Sequence, residues 1–271
     1  MPRIGVLRSP VAAAAAAVFL FIATAAFASP WICRHPYDAQ NLERASERPS
    51  GSHWMGTDVL GRDLFARILR GGRTSLTVGI IATVVAVGIG VSWGAVAGYA
   101  GGRTDHLMMR LVDILYSLPT VFYVILAMVV FGQKPAVLFL ALGGISWLTM
   151  SRIVRGEVLR LKEREFVEAA RAIGAGGRRI LLRHILPQLV GPVTACAALT
   201  LPSVVLLEAF LSFLGLGVRP PEPSWGSLCA DGAVSMAEYP WQILFPAGVM
   251  TGTLLSLNVA GDGLGKPEIK V

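Results

Sequence analysis

Six stretches of this sequence, 17 to 29 residues long, contain no Asp, Glu, Lys or Arg, and that spacing constrains the fold more than any other feature. About twenty apolar residues in helical form cross the hydrocarbon core of a bilayer. The stretches are Ser9 to Cys33, Thr74 to Gly102, Ile114 to Gln133, Pro135 to Ser151, Ile185 to Leu207 and Tyr239 to Gly261. Lipid offers no hydrogen-bonding partner to backbone N–H and C=O groups, so each stretch must satisfy its own, as an α-helix does. The expected fold class is therefore all-α. One polytopic membrane domain covers residues 1–271, with six transmembrane helices near 10–30, 75–100, 113–132, 135–150, 189–214 and 240–261. Composition agrees: 54% of residues are hydrophobic and 15% charged, too apolar for a chain that must cover itself with polar side chains.

Gly88, Gly90, Gly94 and Gly98 recur in the second stretch at spacings of two and four, which predicts a face where another helix approaches closely. Arg3 and Arg8 followed by an apolar run ending Ala26-Phe27-Ala28 imitate a cleavable secretory signal. The run from Pro10 to Ala28 exceeds the usual apolar core of such signals, so an uncleaved first helix is the preferred reading. The three cysteines, Cys33, Cys196 and Cys229, show no metal-ligand spacing. Cys33 and Cys229 would share the outer side, where a disulfide is permitted but nothing in the sequence demands one.

Net charge is +7, which a membrane chain carries on its cytoplasmic loops. With the N-terminus inside, fifteen of the 24 Lys and Arg fall inside, nine of them between Arg152 and Arg183. Both termini are then cytoplasmic and residues 31–74 form an outside segment. That segment carries seven basic residues, which strains the rule, beside Asp38, Glu43, Glu47, Asp58 and Asp63. No basic stripe interleaved with aromatics suggests nucleic acid.

Residues 151–187 separate the fourth and fifth spans. Ile153, Val154, Val158, Leu161, Phe166, Ala169, Ala170 and Ile173 recur there at helical spacing among charged residues, and Gly174, Gly176 and Gly177 then break the pattern before a second basic helix. The segment reads as helix, turn, helix. Its residues Glu168 to Pro187, EAARAIGAGGRRILLRHILP, resemble the EAA loop of ABC importer permeases, with Glu168, Ala169, Ala170, Gly174, Leu186 and Pro187 at the family's spacing. His184 stands where the broader superfamily often has isoleucine, whereas permeases of the peptide type commonly read His-Ile-Leu-Pro. Physically, such a helix suits docking into a groove on another protein. Alanines allow close approach, Glu168 can pair with a partner arginine, and Gly174 can end the helix in a left-handed conformation.

The resemblance extends upstream. HWMGTDVLGRDLFARILRGGRTSL is similar to the block before the second span in second-subunit permeases of the dipeptide, oligopeptide and nickel type, through Gly56, Thr57, Asp58, Gly61, Arg62, Asp63, Arg67, Gly71, Arg73, Ser75 and Leu76. Trp54, Met55 and Gly72 replace the usual Pro, Leu and Ala. The block itself reads as a turn and N-cap leading into an amphipathic helix at the membrane face. Further matches are Met109 to Asp113 with Pro119, and Leu207-Glu208-Ala209 through Gly217; at the C-terminus Gly265-Lys266-Pro267-Glu268 departs from the family's ending. Glu208 and Asn258 are pathway candidates inside spans, with helix-to-helix hydrogen bonding as the alternative for each. Asp113 and Arg110 are expected to pair three residues apart on one helix.

No phosphate-binding Gly-x-x-x-x-Gly-Lys-Ser/Thr loop, HExxH or GxSxG motif occurs, and the four histidines are scattered. The resemblance thus implies a permease with no catalytic site, no metal and no cofactor of its own, ATP and Mg²⁺ being bound by partner chains. It implies a heterodimer with a homologous permease, two ABC ATPase subunits or one fused ATPase, and an extracytoplasmic substrate-binding protein, in a bacterial cytoplasmic membrane. Peptides are the expected cargo, with nickel, glutathione or haem as the alternatives. An intramembrane enzyme and a passive channel are the alternatives of a different class.

Overall fold

The computed structural model describes residues 10–132 and 134–265; Arg3, Arg8, Gln133 and the divergent ending at Lys266, Pro267 and Glu268 lie outside the described residues. The chain runs through α1 (Pro10–Phe27), the single turn α2 (Ser29–Ile32), α3 (Leu64–Ala100), α4 (Gly102–Tyr116), α5 (Thr120–Phe131), α6 (Pro135–Leu161), α7 (Glu165–Ala172) and α8 (Gly177–Ile180). It continues through α9 (Val190–Phe213), α10 (Trp225–Val234) and α11 (Trp241–Gly265). Among the described residues the only strand-like pairing is one bridge between Thr57 and Asp63.

Among the described residues five helices are long and apolar enough to cross a membrane: α1, α3, α6, the continuous run Gly177–Phe213, and α11. A sixth exists if α4 and α5 count as one span, but they meet at an 80° bend. The stretch expected to form the third span, 113–132, is broken between Tyr116 and Thr120. Pro119 donates no N–H and disfavours helix at Leu118, so the chain turns there.

Charge gaps also understate helix length. α3 starts at Leu64, eleven residues before the expected 75, and runs unbroken through Arg67, Arg70 and Arg73. α6 continues to Leu161, past the expected 150. In both cases arginines in the extra turns meet acidic partners from other segments. Arg155 bonds Asp105 of α4 through two contacts of 2.5 and 2.6 Å, and Arg152 bonds Asp113 at 2.8 Å. Asp113 therefore pairs across helices with Arg152, and the expected pairing with Arg110 is corrected.

The most extensive contact in the bundle joins α3 to α6, which run parallel. A Cβ at Gly90 would lie 2.6 Å from Met150 Cβ, one at Gly94 2.9 Å from Val154 Cβ, and one at Gly98 2.9 Å from the Arg155 carbonyl oxygen. Each glycine, one turn after the last, lets the backbones touch. Gly88 has no neighbour within 4 Å of such an atom and does not share this face.

The periodic stripe expected between Ile153 and Ile173 is split between two helices. α6 ends at Leu161 and α7 begins at Glu165, yet Val154, Val158, Leu161, Val167 and Ala170 meet in one apolar cluster with Ile180, Ile185 and Leu189. Ile153, Phe166 and Ile173 are exposed instead.

These pairings give the bundle two ends. At one lie residues 28–63, the start of α3, α10 and the start of α11: Trp225 Nε1 donates to the Ile68 carbonyl at 3.1 Å and Gln242 Nε2 to the Thr57 carbonyl at 3.0 Å. At the other lie the ends of α3 and α6 and the α7–α8 turn, tied by Lys162 Nζ donating to the Gly98 carbonyl at 3.2 Å.

Candidate functional site

The block Gly56–Arg73 builds a buried ionic knot around Asp58. Gly56 and Gly61 take φ of +78° and +71°, turning the chain so that the Asp58 carboxylate faces back into its own loop. Asp58 Oδ1 accepts from the backbone N–H groups of Leu60 and Arg62, each at 2.9 Å. Its Oδ2 accepts from Arg62 Nε at 2.6 Å and from the Arg67 guanidinium on α3. Burial pushes this carboxyl upward, but the Arg62 N–H and the Arg67 and Arg62 guanidinium groups outweigh it and hold it below the usual aspartate range.

Asp63 is the N-cap of α3, its Oδ1 accepting from Ala66 N–H at 2.8 Å while its Oδ2 lies 2.7 Å from His53 Nδ1. Thr57 accepts from Glu47 N–H at 2.7 Å through its hydroxyl. Arg73 is half-buried, and its charge acts on Glu222. Glu222 itself takes a two-pronged contact from Arg70, at 2.8 and 2.5 Å, and a 3.0 Å hydrogen bond from the Tyr37 hydroxyl. Arg70's hydrogen bonds hold the Glu222 carboxyl below its ordinary value. The family block thus fastens the loop preceding α3 to the helix.

Glu208 is fully buried. Its Oε2 accepts from Ser75 of α3 at 2.8 Å, its Oε1 from Ser212 at 2.6 Å, and the Ser224 hydroxyl at the start of α10 also bonds it. Ser75 Oγ in turn accepts from the Trp225 backbone N–H at 3.2 Å. This buried carboxyl joins α3, α9 and α10 through hydrogen bonds. Asn258 is exposed and donates to the Leu254 carbonyl one turn back, at 2.9 Å. The two pathway candidates are therefore not brought together. Sequence reasoning missed α10; the signal was Ser224, an N-cap whose hydroxyl and backbone exchange hydrogen bonds with Ser227. Cys33 and Cys229 are both free, and burial raises the Cys229 thiol to about 11.

At the opposite end α7 closes on a two-bond turn. Gly174, at φ +81°, donates to the Arg171 carbonyl at 2.9 Å, and Ala175 donates to the Ala170 carbonyl at 3.0 Å. This pair of bonds is the Schellman arrangement, which needs a left-handed residue after the helix. Ala170 is buried against the bundle while Glu168, Ala169 and Ile173 point outward, Ile173 being 84% exposed. After the turn the chain passes through α8 and two tightened or widened turns around Leu186 and Pro187 into α9. Pro187 is exposed and Leu186 packs partly on the α6–α7 cluster.

The described residues form a multi-span bundle with a short outward-facing helix inserted between long ones, and sequence comparison gives its family. Residues 90–266 match the family described as binding-protein-dependent transport system inner membrane component, and the chain belongs to that family. It is 45% identical over 260 residues to the oligopeptide transport system permease protein OppC of Escherichia coli K12, covering 95% of this chain and 86% of that protein. It is 44% identical over 247 residues to OppC of Bacillus subtilis 168, covering 91% and 81%. The dipeptide transport system permease protein DppC of the same strain is 41% identical over 258 residues, covering 95% and 81%. Among solved structures, the MetNI methionine ABC transporter in an inward-facing conformation matches with a TM-score of 0.61 at 17% identity, over 72% of this chain and 93% of that one, a likeness of fold.

Proposed function

We propose that this permease forms half of the pathway of an ATP-driven importer for peptides, working as a non-catalytic subunit. Its partners are a homologous permease, ATPase subunits that hold ATP and Mg²⁺, and an extracytoplasmic substrate-binding protein. In this reading α7 and both termini face the cytoplasm, and residues 28–63 face the outside of the cytoplasmic membrane. The oligopeptide and dipeptide transport roles of the relatives support the cargo class.

The observation that carries the reading is the α7 turn. Glu168, Ala169 and Ile173 are presented outward on a helix whose other face, Val167 and Ala170, is locked into the cluster formed by α6 and the approach to α9. Force applied to α7 by a partner reaches two long helices directly, so a rigid-body displacement of the motor subunits can reorient the spans. Glu168, Ala169, Ala170, Gly174, Leu186 and Pro187 form the coupling element, and Gly174 sets the angle at which it leaves the bundle.

Gly174→Pro tests this. Proline cannot adopt φ near +81° and has no N–H for the Arg171 carbonyl, so the turn must open. The expected result is normal membrane insertion and subunit assembly, with ATP-dependent peptide uptake into proteoliposomes lost. Normal uptake by the variant overturns the coupling assignment, and uptake by the wild-type chain without any ATPase establishes a passive channel instead.

A further inference from the structure

We propose that His35, His53 and Asp63 form a binding site for one divalent first-row transition-metal cation, Zn²⁺ or a close neighbour, at the end of the bundle opposite α7. Each residue offers one ligand atom, and these atoms lie within 4.8 Å of one another. The rings of His35 and His53 face each other at a centroid separation of 4.7 Å, and His53 Nδ1 lies 2.7 Å from Asp63 Oδ2. Ligand atoms around a tetrahedral zinc with bonds of about 2.0–2.1 Å stand about 3.3 Å apart. The buried pair, at 2.7 Å, must therefore open by about 0.6 Å and His35 close by up to about 1.5 Å.

Two of the ligands are held in advance. Asp63 is fixed as the cap of α3, and the His53 backbone is pinned on both sides, donating to Ser50 Oγ at 3.2 Å and accepting from Gly56 N–H at 2.9 Å. His35 is exposed and free to complete the set. Beside them lies a space of about 20 Å³ bordered by His35, Asp63, Trp54 and Phe65, enough for one ion or water and too small for a metabolite. Two imidazoles and one carboxylate suit zinc, nickel or copper in preference to calcium or magnesium.

With the metal on Nδ1 of His53, the ring keeps its proton on Nε2. Arg44, exposed and 3.4 Å from that nitrogen, then turns aside. The ion would clasp the chain just after α2 to the first turn of α3, bracing the loop between the first two spans. It is a resident ion in this role and the proposal is independent of the cargo.

The test is a Zn²⁺ titration of the purified full chain in detergent micelles by calorimetry, with His35→Ala and His106→Ala alongside. His106 is exposed on α4, distant in the fold, and serves as the control. One Zn²⁺ per chain is expected for wild type and for His106→Ala, with affinity at least about tenfold weaker for His35→Ala. His35→Ala should unfold at the wild-type temperature in EDTA, which separates lost ligation from lost folding. Failure of the wild type to bind one equivalent, or wild-type affinity in His35→Ala, overturns the site.

Discussion

Asp58→Asn is expected to lower the stability of the folded chain by about 3 to 5 kcal/mol, the usual cost of removing one partner from a buried ion pair. Asparagine keeps an oxygen for the Leu60 and Arg62 N–H groups but removes the charge that Arg62 and Arg67, 8% and 4% exposed as residues, share; Arg67 then keeps only the longer 3.6 Å contact to Asp231. The loss should be read from unfolding in mixed detergent micelles, compared with wild type. It should also depend on pH in one direction. The Asp58 carboxyl is held below the usual aspartate range in the folded chain, so its contribution is fully present above the unfolded value. It fades as pH falls through the lower folded value. The gap between wild type and variant should therefore be constant near neutrality and shrink in strong acid; a gap unchanged into that range contradicts the knot.

Gly94→Leu should destabilise the bundle by about 3 kcal/mol, at the upper end of ordinary overpacking. Gly94 is the middle of three contacts between α3 and α6. A Cβ there would meet Val154 Cβ at 2.9 Å and Arg155 N at 3.0 Å, with the Ser151 carbonyl oxygen closer still. These are backbone and branched-carbon neighbours that cannot swing away. A leucine must push the helices apart, which also separates Gly90 from Met150 and Gly98 from Arg155. Gly88→Leu is the internal comparison, since nothing lies within 4 Å of a Cβ there. Detergent unfolding midpoints that differ little between the wild type and Gly88→Leu, and greatly for Gly94→Leu, support the contact. Equal midpoints for the two variants refute it.

The sequence made the spans legible because lipid excludes charge, and the gaps between ionic side chains mark where lipid is. They do not mark where helices end. Arg67 and Arg70 lie in α3, and Arg152 and Arg155 in α6, because acidic partners from other segments meet them: Asp58, Glu222, Asp113 and Asp105. Those pairings span up to 152 residues of sequence, and no local pattern announces them. Asp113 illustrates the failure, since the local partner, Arg110, was the natural choice and the distant one prevailed.

Glu208 shows the same limit at the candidate site. A carboxyl inside an apolar helix marks either a pathway or a junction, and its hydrogen-bond partners Ser75 and Ser224 arrive from two other elements, so no local pattern shows them. The glycine face was partly legible: spacing by four is correct for Gly90, Gly94 and Gly98, but only the neighbouring helix decides that Gly88 falls outside it. By contrast the α7 turn could be read from Gly174 and the alanines before it, because a Schellman closure is a local device whose requirement for a left-handed residue is written into one position.

The account turns on α7 meeting a nucleotide-driven partner, and a crosslink reports on that contact. Cys33, Cys196 and Cys229 would be replaced by alanine, and a single cysteine placed at Ala169 or, at the opposite end, at Leu42. A short bismaleimide would then be applied to membranes holding the assembled transporter. The account predicts a crosslink from position 169 to an ATPase subunit, altered by ATP, and none from position 42. A crosslink to the ATPase from position 42 alone would contradict it.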